Sequence, residues 1–274
     1  MEAVSTTGTL RLPRTEQSAR VRRLPDLTPF EPSGPARGTA PLSVLLAEGT
    51  EKTLQQAEGS LFLQTLFRDT WDAGVYGQFV RAQHYVSYLR QLHFLYSAFE
   101  GVLPHVVDSP VTPVLLMPEL RRADALEADL DYFCGETRSD TFACREARLH
   151  AERLREVADG APHLLVAHAY ARCMLDVFTA PARARCVAES FELEDGCGTR
   201  FYDALSSQEL EAFRVRLHSR IDGLELDEAE TQEVIQEARM AFRLHALVCA
   251  ELARGAPGIT ARGSAAARTP GPHG

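Results

Sequence analysis

The chain of 274 residues has no hydrophobic run long enough to cross a membrane. A spanning helix needs about 18 apolar residues, and the longest candidate, around Leu164–Ala171, is interrupted by His168. The first residues lack the apolar core of a secretory leader, so a soluble, cytoplasmic protein without a transmembrane anchor is expected. None of the six cysteines (Cys134, Cys144, Cys173, Cys186, Cys197, Cys249) forms a Cys-x-x-Cys pair, and no Cys/His set has zinc-finger spacing. They read as free thiols in a reducing compartment. Also missing are a phosphate-binding Gly loop, a dinucleotide Gly pattern, a nucleophile elbow and a zinc-protease helix. The nucleotide-dependent and hydrolytic chemistries those motifs carry are set aside. No alternating run is long enough for a strand, and no heptad is sustained enough for a coiled coil.

The residues present describe a globular chain. It is 45% hydrophobic and 24% charged, with a formal net charge of −9. The charge is uneven. Residues 1–40 carry six Arg against four acidic residues, and residues 255–274 carry Arg262 and Arg268 with no acid. The acidic excess therefore lies in the middle, where it would repel phosphates, so no nucleic acid is expected as a partner.

Residues 1–40 hold Pro13, Pro25, Pro29, Pro32 and Pro35 and no apolar stripe at helical spacing, which predicts a disordered arm. Its Arg and Ser content loosely resembles an organelle transit peptide, against which its four acidic residues count. The Gly/Ala/Pro-rich stretch 255–274 reads as a flexible tail. Residues 41–254 are then one domain, and its hydrophobic period is helical throughout, which predicts an all-α bundle.

Ser43 can cap a helix running toward Ala57, and Leu61–Phe67 makes a second. A long third helix runs from Gly77 to Leu103, with Val80, His84, Tyr88, Leu92, Leu95 and Phe99 on one stripe and Pro104 closing it. Pro110, Pro113 and Pro118 are expected to hold the next link extended, with a helix beginning near Pro118. Further helices are expected at 144–158, 162–178 and 206–222. A last one follows the Asp227/Glu230 capping box and buries Val234, Ala238, Ala241, His245, Val248 and Leu252. An irregular link is expected near 190–198.

Arg172 and Asp176, four residues apart in an apolar helix, allow either a simple ion pair worth a few tenths of a kcal/mol or part of a buried polar network facing a ligand. His84, His93, His168 and His245 all lie in helical stretches, where a lone histidine is most often structural.

Several ordered segments resemble the haem oxygenase family. They are TEKTLQQAE (Thr50–Glu58), LHFLYSAFE (Leu92–Glu100), PELRRADALEADLDYF (Pro118–Phe133) and LLVAHAYARCMLD (Leu164–Asp176), followed by Ser219–Leu224 and Glu237–Leu252. The resemblance covers about residues 42–253. It implies a single-domain haem oxygenase-like helical bundle. It also implies oxidative opening of haem, both substrate and prosthetic group, to biliverdin, carbon monoxide and iron, with electrons from a reductase partner. Asp176, Arg172 and Tyr96 match the family's distal polar network, in which Asp176 would organise water. Arg214 and His218 fall where the family holds the haem propionates, and Phe242 matches an aromatic of the wall.

The same comparison shows departures at the chemistry. The position of the family's iron-binding histidine falls on Leu54, which has no lone pair, and Thr53 and Gln55 are poor substitutes. The distal Gly-Asp-Leu-Ser-Gly-Gly segment reads Leu175, Asp176, Val177, Phe178, Thr179, Ala180. Glycines there would let backbone lie against the ring and the helix bend; the side chains present crowd that volume. Basic residues at the start of the proximal helix are replaced by Ala47 and Glu51. Three readings follow. One is a working oxygenase that takes another ligand, with His93 and His245 as candidates for iron. The second is a pseudoenzyme that binds a tetrapyrrole or a protein partner. The third is a helical scaffold in which Arg172, Asp176 and Tyr96 only hold helices together.

Overall fold

Pro41 opens the first helix without any side-chain cap. The structure, a computed structural model, describes residues 40–67, 74–135, 143–194, 196–202 and 205–255, with the side chains of residues 74–80 excepted. Nearly all of the expected arm and tail, and the Val80 side chain, lie outside these residues.

Helix α1 spans Leu42–Glu58. Ser43 is not its cap but sits in its first turn, and its N–H and hydroxyl donate to the two carboxylate oxygens of Asp222, at 2.8 and 2.9 Å. One of the N–H groups that a helix start leaves without an internal partner is thus satisfied by a residue far along the chain. Helix α2 is Leu61–Phe67, and α3 runs Gly74–Val102, starting earlier than Gly77 and stopping short of Pro104.

The Pro-rich link that follows is not extended. It folds into a 3₁₀ turn at Leu103–Val106, a short helix α4 at Thr112–Leu115 and a 3₁₀ turn at Pro118–Leu120. Pro104, Pro113 and Pro118 each occupy a first-turn position, where the missing N–H would have had no helical partner anyway. Helix α5 begins only at Ala123 and runs to Cys134. Its start is capped from α3, because Glu100 Oε1 accepts the N–H groups of Arg122 and Ala123 at 2.8 and 2.9 Å.

Helix α6 (Arg145–Gly160) precedes α7 (Leu165–Arg172), and α7 passes into a single wide π turn at Cys173–Val177. Helix α8 (Ala180–Phe191) follows; no helix was expected there from the sequence. It ends on Glu192, whose φ of 49° breaks the ladder. A 3₁₀ turn at Arg200–Tyr202 leads to α9 (Ser207–Asp222), closed at its start by a Ser206/Glu209 capping box. Helix α10 (Glu228–Gly255) opens on the expected box, with Glu230 N–H donating to Asp227 at 2.8 Å and Asp227 N–H donating to Glu230 at 2.9 Å. No strand occurs among the described residues, so the all-α expectation holds. No helix among them is long and apolar enough to cross a membrane.

Helix α10 is the central post, packing against α1, α2, α3, α6 and α7. It meets α1 at Gly49, where an added Cβ would come within 2.7 Å of Ile235 Cγ2, and Arg239 Nε seals the crossing by donating to the Gly49 carbonyl at 2.6 Å. Two large apolar clusters and a small third one (Leu95, Ala143, Ala147, Val248) fill the bundle. The first large cluster joins α1, α4, α7, α9 and parts of α3, α6 and α10; the second joins α2, α3 from Ala82 to Tyr96, α5, α8, the 200–202 turn and Cys249 of α10. Asp176 bonds across to Tyr96 of the second cluster while its neighbours Leu175 and Val177 belong to the first, so a polar seam runs where they meet.

Candidate functional site

The π turn decides where Asp176 points. In it the N–H of Phe178 donates to the carbonyl of Cys173 at 3.0 Å, five residues back rather than four. The Thr179 hydroxyl donates to the Leu175 carbonyl at 2.5 Å, giving that carbonyl a partner beside the widened turn. Such turns interrupt a helix and often mark functional sites.

Asp176 is buried with its carboxylate between three donors. Its Oδ2 accepts from the Tyr96 hydroxyl and from Arg172 Nη1, both at 3.0 Å, while Oδ1 faces Arg183 Nη1 at 3.6 Å. Sequence alone allowed a surface ion pair between Arg172 and Asp176. Both are buried, so the pair is part of a network. Burial works against the Arg172 charge, but the Asp176 carboxylate and the nearby Tyr96 and Tyr88 hydroxyls outweigh it and hold the guanidinium more firmly protonated. Burial, then the Asp176 charge, push the Tyr96 hydroxyl well above the usual phenol range, so it is a neutral donor.

The network continues to α10. Arg172 Nη2 donates to His245 Nδ1 at 3.2 Å, which leaves the ring proton on Nε2, 3.6 Å from Cys249 Sγ. Burial, then Arg172 and Arg183, drive the His245 pKa well down. Its one lone pair is already used by Arg172, so His245 has nothing to offer a metal. Tyr96, Arg172 and Asp176 are therefore brought together as the sequence led one to expect. His245 and Arg183 complete the group. Arg183 was missed because Pro181 hides the helix that carries it. The usable signal was its place seven residues after Asp176, two helical turns on.

The other three expected residues lie on α9 and α10. Arg214 on α9 stands over the Phe178 ring, 5.0 Å from its centroid, and pairs with Glu211 at 3.5 Å. His218 is one turn further along α9; burial, with Arg214 assisting, lowers its pKa against the pull of Asp222. Phe242 on α10 is fully buried and meets Tyr170 edge-on at 6.3 Å. Leu175 and Phe178 are buried, Phe178 lies 5.5 Å from Phe213, and Leu54 packs on the same apolar cluster. Neither of two concavities, of about 550 and 250 Å³, is bounded by Leu54, Asp176 or Phe178.

The family model described as "Heme oxygenase" matches residues 40–251. The chain belongs to the haem oxygenase family. It is 30% identical over 212 residues to heme oxygenase 1 of Synechocystis, covering 77% of this chain and 84% of that one. It is 33% identical over 207 residues to heme oxygenase 1 of Gallus gallus, covering 74% and 67%. Among solved structures it resembles Synechocystis heme oxygenase-1 in complex with heme, with a TM-score of 0.68, 27% identity and coverage of 78% and 92%. Heme oxygenase from Leptospira interrogans shares the fold, with a TM-score of 0.68 at 23% identity, covering 77% and 100%.

Haem is the group this family implies, and the residues present do not fit it as an iron-bound ring. Helix α1 contains no His, Cys, Met or Tyr to ligate iron. The apolar residues Leu54, Leu175 and Phe178 pack into the core. The neighbouring buried imidazoles are committed elsewhere: His245 to Arg172, and His168 to Glu237 and His150.

Proposed function

We propose that this haem oxygenase-family protein does not turn over haem and serves instead as a binding member of the family, for a tetrapyrrole or a protein partner. The observation that carries this reading is that α1 holds no His, Cys, Met or Tyr, with Leu54 at the position the resemblance assigns to the proximal histidine. Without an iron ligand, the oxidative chemistry of the family has no anchor. Leu175 and Phe178, buried opposite, support the same reading.

A second reading is favoured by one observation. Asp176 with Tyr96 and Arg172 at 3.0 Å is a complete proton-handling cluster, which a working oxygenase would need. In that reading Asp176 organises water, and Arg214, His218 and Phe242 hold the ring.

Titration with hemin separates the two. Under the first reading no imidazole-type spectrum develops, and no biliverdin absorbance appears with a reductase and NADPH. Biliverdin formation that depends on Asp176 would overturn the first reading and establish the second.

A further inference from the structure

The link between α3 and α5 carries more apolar side chains than the core takes in. Val106, Val111, Val114, Leu115 and Met117 are buried, whereas Leu116 is 38% exposed and Val107, at 54%, is the most exposed large apolar residue among the described residues. Both border the larger concavity, of about 550 Å³, together with Asp108, Pro110, Pro113 and Arg220 of α9. Its walls are braced. The Thr112 hydroxyl lies 2.8 and 3.0 Å from the Val106 and Val107 carbonyls, and Arg220 Nη1 donates to the Pro113 carbonyl at 2.6 Å. Val107 and Leu116 are thus held toward solvent in one preformed groove, where an apolar partner would remove them from water.

The start of α1 lies beside this groove. Ser43, in the first turn of α1, is held by both carboxylate oxygens of Asp222, two residues beyond Arg220 on α9. The point at which residues 1–39 join the fold is therefore pinned next to the groove. In those residues Leu24, Leu27 and Phe30 recur at every third position, and Pro25, Pro29 and Pro32 break any α-helix there. A spacing of three puts all three apolar side chains on one face of a polyproline II helix, the form in which apolar grooves take up proline-rich segments. The stretch from Phe30 to Pro41 reaches up to about 36 Å when extended, which leaves ample slack. Charge runs in the same order. Glu31, nearest α1, and Asp26 flank the apolar face and suit Arg220, while Arg22 and Arg23, farther from α1, suit Asp108. The stretch after α10 is a poorer occupant. It begins at the opposite end of a 28-residue helix, about 42 Å from the α9–α10 connection, and Ile259 is its sole large apolar residue.

We propose that residues 24–32 of the same chain dock onto the groove between the 107–116 link and Arg220, with Leu24, Leu27 and Phe30 against Val107, Pro113 and Leu116 and with Glu31 beside Arg220. The covalent tether keeps the segment at high effective concentration, so a small apolar contact suffices. Docking braces the start of α1, which has no side-chain cap, against α9. These are the helices that carry Leu54 and Arg214.

The test uses the full chain with p-benzoylphenylalanine in place of Phe30, irradiated in dilute solution. The expected product is a cross-link within one chain, mapped by mass spectrometry to residues 107–116 or to Arg220. Separately, trypsin should cut after Arg23 at least about fivefold faster when Val107→Glu and Leu116→Glu are combined than in the parent chain, because cleavage tracks the undocked population. Leu149→Glu, at an exposed apolar position on α6, should leave that rate unchanged. If the double variant fails to fold, Phe30→Ser makes the same comparison from the other side of the contact. A cross-link to a second copy, a cross-link elsewhere on the fold, no cross-link at all, or equal cleavage rates in parent and variant would each overturn the proposal.

Discussion

The guanidinium of Arg214 lies 5.0 Å from the centroid of the Phe178 ring, and the Phe213 ring lies 5.5 Å from it. The resemblance gives Arg214 a propionate to hold; the structure gives it an aromatic face. Phe178 is therefore both part of the core and the platform for this arginine. Truncation by Phe178→Ala is expected to cost about 3–5 kcal/mol, as for other large-to-small changes in packed interiors. Urea unfolding of the variant checks this; a loss below about 1 kcal/mol would show that the ring is not packed as described.

Restoring an imidazole should not be enough to restore chemistry. In Leu54→His alone, Leu175 and Phe178 still occupy the opposite side, so little or no biliverdin is expected. Adding Leu175→Gly and Phe178→Ser should strengthen hemin binding and produce an imidazole-type spectrum, at a clear loss of stability. Full turnover by the single variant would show that crowding is not the obstacle. The two spectra, with a coupled reductase assay, decide it.

Asp176 lies between two buried guanidiniums. Asp176→Asn leaves both without a counter-charge, and breaking a buried pair of this type costs about 3–5 kcal/mol. Thermal unfolding should show a large drop, reduced when Arg183→Met is combined with it, because one of the stranded charges is then gone. Additive losses in the double variant would contradict the coupling.

Acid should weaken the fold through its buried histidines. His150 Nε2 lies 3.3 Å from His168 Nδ1, and His168 Nε2 lies 3.0 Å from Glu237, itself held by Arg153 at 2.7 Å. With His168 donating to Glu237, His150 must donate to His168, which leaves His150 Nδ1 as a lone pair without a partner. Burial lowers the His168 pKa, and it drives those of His150 and His245 well down. The unfolded chain takes up protons as pH falls below about 6.5 while the folded one resists. Stability is therefore present above that pH and lost below it, by about 1.4 kcal/mol per pH unit for each histidine kept neutral, until the folded-state value is reached. Glu237 adds a lower step: burial raises its pKa, but the bonds from Arg153 and His168 bring it to about 2, so its contribution fades only as pH falls from the ordinary carboxylate range toward that value. Denaturant midpoints between pH 8 and pH 5 test this, and His150→Leu should flatten the curve.

What could be read in advance was whatever repeats along a helix. The α3 stripe of His84, Tyr88, Leu92, Leu95 and Phe99 is buried as its spacing requires, and so are Val234, Ala238, Ala241, His245 and Val248 on α10. The Asp227/Glu230 cap was visible because both partners are local. Contacts made across the chain were not. Ser43 looks like a cap in isolation and becomes a latch only when α9 delivers Asp222. Proline misled twice. Pro113 and Pro118 suggested an extended link, and Pro181 concealed α8, although first-turn positions tolerate proline well. At the site, the trio of Tyr96, Arg172 and Asp176 was legible by resemblance, whereas the alignment of Arg183 with it depends on the turn between them.

That turn separates length from composition. A π turn holds one residue more than a regular helical turn would, and each residue added or removed rotates everything beyond it by about 100°. Dropping one residue from Cys173–Val177 would swing Phe178 away from Arg214 and carry Arg183 off Asp176 together. A single-residue deletion in that turn would therefore disturb the aromatic platform of Arg214 and the charged seam in the same step.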